Sequence, residues 1–151
     1  MQALPEDVVL AVDDLRTHFV FRGYSAKSVD GVSVTAPPWV LLRGLTREVR
    51  HWGRFPQQLG DALPGMPVIC LDLPGNGILN RLESPPRVEA MADYCRAEIA
   101  RRGIATPCRL LAMSLGAMVA VAWAQHYPGD VAAAVLVNTS LRPFSPFHHR
   151  L

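Results

Sequence analysis

The chain has 151 residues, 50% hydrophobic and 19% charged, which is enough for one globular domain with a buried core and excludes a disordered protein. Its net charge of +2, with no stretch that alternates basic and aromatic residues, gives no reason to expect a nucleic-acid partner. No apolar run reaches the roughly 20 residues that cross a bilayer, and the N-terminus lacks the basic residues of a signal peptide, so we predict no membrane partner and a cytoplasmic location.

Residues 1–38 form a weakly defined leading segment. It contains two short strand candidates, residues 18–22 and 32–35, which are separated by polar turn residues. The pair Pro37-Pro38 marks a boundary, because proline interrupts both helices and strands. We predict that the core domain occupies residues 39–151.

From residue 39 onward, short apolar runs alternate with segments of helical periodicity. The short runs suit strands that are buried on both faces of a sheet. This alternation predicts an α/β fold, a mostly parallel sheet flanked by helices with right-handed crossovers. The predicted strands are residues 39–43, 67–72, 107–113 and 131–138, and the predicted helices are residues 54–63, 87–102 and 115–126.

The metal-ligating residue types are too few and too scattered for a metal site. Three cysteines, Cys70, Cys95 and Cys108, are an odd number at wide spacings, without a C-x-x-C pair. We interpret them as reduced thiols of a cytoplasmic protein. The pair His148-His149 offers too few ligands for a metal, and we expect none.

Glycines follow the first two predicted strands of the core domain. Gly44-Leu45 follows the first, and the segment Asp72-Leu-Pro-Gly-Asn-Gly77 follows the second. The chain contains neither G-x-x-x-x-G-K-[ST] nor G-x-G-x-x-G, so these glycines do not predict a phosphate or dinucleotide site. Taken alone, Gly44-Leu45 fits an ordinary polar loop better than a functional one.

Ser114 lies where the third predicted strand of the core domain meets an apolar helix. Small residues stand two positions before and two positions after it, Ala112 and Gly116, which is the pattern of a nucleophile elbow. In such a turn the serine has a positive φ and its hydroxyl is exposed beside the free N–H groups of the helix N-terminus. The alternative is that Ser114 only caps the helix, since serine is favoured at that position.

These three segments, in this order, resemble the α/β-hydrolase family, in the style of small serine carboxylesterases and thioesterases. The resemblance covers residues 39–151 and departs from the family pattern at two positions. Ala112 replaces the first glycine of G-x-S-x-G, and Arg43 replaces the histidine that usually precedes the glycine of the first loop. The resemblance also implies a leading antiparallel hairpin before residue 39.

The resemblance implies a role for each matched residue. Ser114 is the nucleophile that attacks an acyl carbon, and the backbone N–H groups of Leu45 and Leu115 bind the oxyanion. Gly44, Ala112 and Gly116 shape the supporting turns. Leu45, Leu115 and Thr139 are expected to line the acyl pocket of a small acyl substrate, and no cofactor is implied. Asp72 shapes a turn and takes no part in the chemistry.

A general base and its acid are not evident in the chain. The only carboxylate after Ser114 is Asp130, which precedes the last predicted strand and therefore lies about 26 Å from the edge that carries Ser114. A substitute in which Asn138 or Ser140 orients His148 is a weaker alternative. The resemblance implies that the strands carrying the acid and the histidine are missing. We therefore expect an N-terminal portion of the fold that is weakly active or inactive.

Two further expectations concern partners. The last predicted strand, residues 131–138, would be an exposed apolar sheet edge, through which the chain could self-associate. The alternative to an enzyme is a noncatalytic, hydrolase-like module that binds an acyl ligand or a protein partner.

Overall fold

The computed structural model describes residues 8–13, 16–22, 36–63 and 66–139. Three short 3-10 turns lie in the loops, at Val49–Trp52, Gly77–Leu79 and Pro128–Asp130. The strands and helices, in chain order, are β1 (Val8–Asp13), β2 (Arg16–Arg22), β3 (Trp39–Leu42), α1 (Phe55–Ala62), β4 (Val68–Leu71), α2 (Val88–Arg101), β5 (Cys108–Met113), α3 (Leu115–His126) and β6 (Val131–Val137).

The strands form one sheet in the order β1-β2-β6-β5-β3-β4. The four strands β4, β3, β5 and β6 are parallel, as predicted, and each predicted strand and helix of the core is present within one residue at each end. The chain leaves β3 toward β4 and later returns to β5 on the other side of β3. Parallel α/β sheets place their sites at the carboxyl ends of strands where such a reversal occurs.

The leading segment contains an antiparallel hairpin, formed by β1 and β2. Strand β2 includes the predicted residues 18–22, whereas β1 was not predicted and residues 32–35 lie outside the described residues. The division of the chain at residue 38 remains a prediction.

The expectation that the last strand is an exposed edge is wrong. Strand β2 pairs antiparallel with β6, from Phe19 opposite Leu136 to Arg22 opposite Ala133. The hairpin thus satisfies the backbone groups on the outer side of β6, and the edge strands of the described sheet are β1 and β4. Self-association of the chain remains a prediction, but β6 is not the exposed edge through which it would occur.

The core lies between the sheet and the pair α2 and α3. Because crossovers are right-handed, these two helices lie on one face of the sheet and α1 on the other. Strand β3 is buried throughout Val40–Leu42, as expected for a strand covered on both faces. Strands β5 and β6 bury alternate residues only, because no described helix covers their second face. None of the described helices is long and apolar enough to span a membrane.

Helix α3 begins unusually close to β3. A Cβ atom placed on Gly116 would lie 2.5 Å from the Arg43 carbonyl oxygen and 2.8 Å from that of Leu42. Real Cβ atoms do not approach backbone this closely, so α3 and β3 can pack in this way only because residue 116 has no side chain. The close approach fixes the position of the turn that joins β5 to α3.

We predict that Gly116→Ala lowers the free energy of unfolding by about 2 to 3 kcal/mol, because backbone must move to admit the methyl group. Gly60→Ala is the matched control, since Gly60 also lies in a helix and its added Cβ would make only an ordinary contact, 3.9 Å from Val68. That control should raise stability by about 0.5 to 1 kcal/mol through helix propensity. Urea unfolding of both variants measures the difference, and equal effects would contradict the close-packing argument.

Candidate active site

Ser114 has the backbone conformation expected of a nucleophile elbow. Its φ is 52° and its ψ is −118°, a region that residues with a side chain seldom occupy. Three hydrogen bonds hold it there: its N–H donates to the Val137 carbonyl at 2.9 Å, and its own carbonyl accepts from Ala117 and Met118 at 3.0 and 3.2 Å. The turn is therefore fixed on one side by the sheet and on the other by α3.

The side chain of Ser114 does not cap α3. Ser114 occupies the N-cap position, yet its hydroxyl makes no hydrogen bond to the first turn of the helix. Ser114 is also exposed at the carboxyl end of β5. The structure thus argues against the capping alternative and leaves the hydroxyl available to a substrate.

The loop that follows β3 packs directly against this turn. A Cβ atom on Gly44 would lie 3.0 Å from Ser114 Cβ and 3.5 Å from Ser114 Oγ. Gly44 begins a turn that is closed by the Arg47 N–H donating to the Gly44 carbonyl at 3.1 Å, with Thr46 at a φ of 58°. Leu45, next in the chain, is therefore close to Ser114. The structure brings the segment Gly44-Leu45 together with the elbow.

Leu115 is the first residue of α3. The first amides of an α-helix have no acceptor within the helix, so the Leu115 N–H is suited to bind an anion. Gly44-Leu45 and Leu115 thus flank the Ser114 hydroxyl with backbone, as an oxyanion site requires. Their role as donors stays a prediction.

Asp72 anchors two loops at this edge of the sheet. Its Oδ1 accepts from the Val49 N–H at 2.7 Å and its Oδ2 accepts from the Ile78 N–H at 3.1 Å. The side chain is only 8% exposed, and the missing side chain of Gly77 makes room for the carboxylate. With both oxygens bonded to backbone, Asp72 acts as a structural residue that ties the loop after β3 to the turn after β4.

Arg43 gives the loop after β3 a packing partner that the sequence did not reveal. Its guanidinium carbon lies 4.7 Å from the ring centroid of Trp52, within range of a cation–π interaction, and its Nη1 lies 3.0 Å from Met113 Sδ. Trp52 stacks in turn on Phe55, with centroids 5.6 Å apart. The planar guanidinium of Arg43 thus packs between the Trp52 ring and the end of β5.

Thr139 lies two residues beyond the end of β6, whose last residue Val137 is opposite Met113 of β5. It is therefore at the same edge of the sheet as Ser114. Its side chain is buried, and its hydroxyl has no hydrogen-bond partner among the described residues. Asn138 before it has a φ of 50°. This placement is compatible with the predicted pocket, and the pocket itself remains a prediction.

Asp130 lies at the opposite edge, as the sequence argument required. It precedes β6, whose first residue is opposite Cys108 at the start of β5. Its carboxylate accepts from Arg96 Nε at 2.6 Å and from Trp123 Nε1 at 3.5 Å. Both the position and these partners exclude Asp130 as the acid that would orient a catalytic histidine.

The histidines with described side chains do not supply a general base for Ser114. His51 Nδ1 already accepts a hydrogen bond from the Glu48 N–H at 3.0 Å, and no hydrogen bond of the described residues joins its ring to Ser114. His126 lies in the last turn of α3, far from the elbow at its first turn. The candidates Ser140, His148 and His149 lie outside the described residues.

The thiols are not competing nucleophiles. Burial raises the pKa of both Cys95 and Cys108 to about 12, and burial together with Asp72 raises the pKa of Cys70. All three are unpaired and protonated at neutral pH. Ser114, the candidate nucleophile, is exposed at the carboxyl edge of the described sheet.

Comparisons with known proteins agree with this architecture. A family model for the alpha/beta hydrolase fold matches residues 37–149. No curated protein matches the chain. Among solved structures, a putative lipase (lip1) from Acinetobacter baumannii AYE is 21% identical, with a TM-score of 0.62, over 95% of this chain and 45% of its own.

Two other solved structures are similar at the level of the fold. An alpha/beta hydrolase from Novosphingobium aromaticivorans DSM 12444 is 22% identical, with a TM-score of 0.53, over 85% of this chain and 42% of its own. The epoxide hydrolase CorEH is 20% identical, also with a TM-score of 0.53, over 82% of this chain and 39% of its own. The chain thus spans less than half the length of each of these three structures.

We predict that Ser114→Gly raises the free energy of unfolding by about 1 kcal/mol or more, because glycine adopts a positive φ without strain. Ser114→Ala is the matched control: alanine keeps the strain, so its stability should stay close to that of the original chain. Urea unfolding of the three proteins tests this. A glycine variant no more stable than the alanine variant would show that the turn is not strained.

Proposed function

This chain belongs to the alpha/beta hydrolase fold family, and we propose that it is the nucleophile-bearing portion of a serine hydrolase acting on a carboxylic ester or thioester. The observation that carries the proposal is the conformation of Ser114. Its hydroxyl is exposed, does not cap α3, and lies against Gly44 at the carboxyl edge of the sheet. A serine that only capped the helix would accept a hydrogen bond at its hydroxyl from an N–H of the first turn.

In the reaction proposed for the whole enzyme, Ser114 Oγ attacks the acyl carbon and its proton passes to a histidine base, which the described residues of this chain do not supply. Negative charge develops on the carbonyl oxygen, which the backbone N–H groups of Leu45 and Leu115 bind. The intermediate collapses, the alcohol or thiol leaves with that proton, and water then hydrolyses the acyl-serine. Leu45, Leu115 and Thr139 line the acyl pocket, and no cofactor takes part.

The residue type at position 114 favours acyl transfer over other reactions of the fold. The neighbours include proteins named as a lipase and as an epoxide hydrolase, so likeness of fold does not choose between these activities. A serine oxygen attacks acyl carbons after losing its proton to a base. Opening an epoxide by covalent catalysis would instead favour an aspartate at this position.

The residues that the structure describes supply neither an acid nor a base for Ser114. Neither Asp130 nor the side chains of His51 and His126 serve Ser114, and the chain spans less than half the length of the solved structures compared above. Without a base, only the oxyanion donors and substrate binding accelerate the reaction, which leaves a residual of about 10³- to 10⁴-fold over water. We propose that the chain alone is weakly active or inactive. Its unpaired cysteines support a cytoplasmic location.

We predict that a fluorophosphonate probe labels the chain slowly and at Ser114 alone, because the probe reacts with a serine whose oxyanion site is formed. Ser114→Ala should abolish the label. Ser84→Ala is the matched control, since Ser84 is also exposed but lies outside the elbow, and it should label like the original chain. Mass spectrometry of the labelled peptide measures the site.

If the original chain takes up no label while remaining folded, the catalytic proposal fails. The alternative, a noncatalytic module that binds an acyl ligand or a protein partner, would then describe this chain.

We predict that Asp72→Asn lowers the free energy of unfolding by about 1 to 3 kcal/mol and also slows labelling of Ser114. An asparagine keeps one acceptor oxygen, so one of the amides of Val49 and Ile78 loses its buried partner. The loop that carries Leu45 is then less firmly held. Asp61→Asn, at an exposed position of α1, is the control and should change neither property.

A further inference from the structure

The exposed large apolar side chains of the described residues share one region of the molecule. Those side chains belong to Leu45, Phe55, Ile78 and Leu82. Leu45 lies on residues 43–54 after β3, and Ile78 and Leu82 lie on residues 72–82 after β4; we call these two segments the rim loops, and Phe55 begins α1 directly after the first of them. Strands β3 and β4 are parallel neighbours, so the rim loops leave the sheet at the edge where Ser114 lies. An exposed apolar cluster of this kind marks an interaction surface.

Hydrogen bonds fix the backbone of the rim loops, although the apolar side chains on these loops are exposed to water. Ile78 is 83% exposed although its own N–H is bonded to Asp72, and Leu45 is 62% exposed in a closed turn. Backbone bonds from Asn76 to Leu73 and from Leu82 to Leu79 continue this order. The apolar side chains therefore face water because of how the loops are built.

The unpaired charged side chains near the exposed apolar residues of the rim loops are mostly arginines. Arg47, Arg54 and Arg81 are exposed and have no carboxylate partner among the described residues. The carboxylates of the same loops are already occupied, Glu48 by Arg50 and Asp72 by two backbone amides. One exposed carboxylate, Glu83, follows the second loop. Unpaired arginines among exposed apolar side chains are the pattern of a surface that adsorbs to anionic lipid.

We propose that the rim loops bind the surface of an anionic phospholipid membrane. The apolar side chains enter the boundary between headgroups and acyl chains, and the arginines face the lipid phosphates. Adsorption of this kind needs no membrane-spanning helix, so the proposal is compatible with the absence of such a helix among the described residues. It replaces the expectation from the sequence that the chain has no membrane partner. Because Gly44 of the first rim loop contacts Ser114, a bound membrane would lie beside the candidate nucleophile.

The proposal does not require Ser114 to be reactive, so binding and catalysis can be tested separately. The 151-residue chain is mixed with vesicles of phosphatidylcholine alone, or of phosphatidylcholine with phosphatidylglycerol, at low and at physiological salt. Flotation then measures the bound fraction. We expect binding to the vesicles that contain phosphatidylglycerol, weakened by salt, and little binding to phosphatidylcholine alone.

Variants separate the apolar and charged contributions. Ile78→Ser with Leu82→Ser, and Arg47→Gln with Arg81→Gln, should each weaken partitioning by roughly 30-fold. Arg101→Gln is the control, because it removes one exposed arginine at the end of α2, away from the rim loops, and should leave partitioning unchanged. Ser114→Ala should also bind normally. Circular dichroism and a thermal melt verify that each variant is folded.

The proposal is overturned if the folded chain does not bind anionic vesicles. It is also overturned if Arg101→Gln weakens vesicle binding as much as the rim-loop variants do. The proposal would also fail if the chain formed a dimer and did not bind vesicles, and if the double variant Ile78→Ser with Leu82→Ser were monomeric. The surface would then be an interface between two copies of the chain. Vesicle binding without any probe label on Ser114 would support the membrane surface while the proposed hydrolase activity fails.

Discussion

The close approach of α3 to the end of β3 is the constraint on which the candidate site depends. Gly116 lies against the carbonyl groups of Leu42 and Arg43, which leaves no room for a side chain. Because α3 starts so near the sheet, the chain must turn within one residue after β5, and Ser114 takes a positive φ to do so. The same geometry brings the Ser114 hydroxyl against Gly44. The missing side chain of Gly116 thus links the packing of the core to the exposure of the Ser114 hydroxyl.

A second set of contacts fixes the loops around that turn. Asp72 binds the amides of Val49 and Ile78, and the guanidinium of Arg43 stacks on Trp52. These contacts come from residues with polar side chains at the edge where a site is expected, yet Asp72 binds backbone amides of the loops and Arg43 packs on Trp52 and Met113. A carboxylate or a guanidinium near a candidate nucleophile is therefore not by itself a catalytic group. Its partners decide whether it holds backbone or contacts substrate.

Local patterns predicted most of the core. Apolar runs of strand length and helical periodicity located each strand and helix from β3 to β6, because such patterns record which faces of an element are buried. Small residues around Ser114 predicted its backbone conformation, because a strand and a helix approach closely at such a turn. Strand β1 and the pairing of β2 with β6 were missed, since Arg22 and Ala133 are neighbours only through the fold and no pattern in either segment names its partner.

The sequence by itself determined the α/β class, the position of the elbow and the exclusion of Asp130, because strand length and strand direction are enough to place residues at one edge of a parallel sheet or the other. The tertiary structure alone decided that β6 is covered, that Arg43 packs on Trp52, that the Ser114 hydroxyl leaves α3 uncapped, and that exposed apolar side chains gather on the rim loops. Each of these depends on contacts or exposure set by segments far apart in the chain, which a local pattern does not encode.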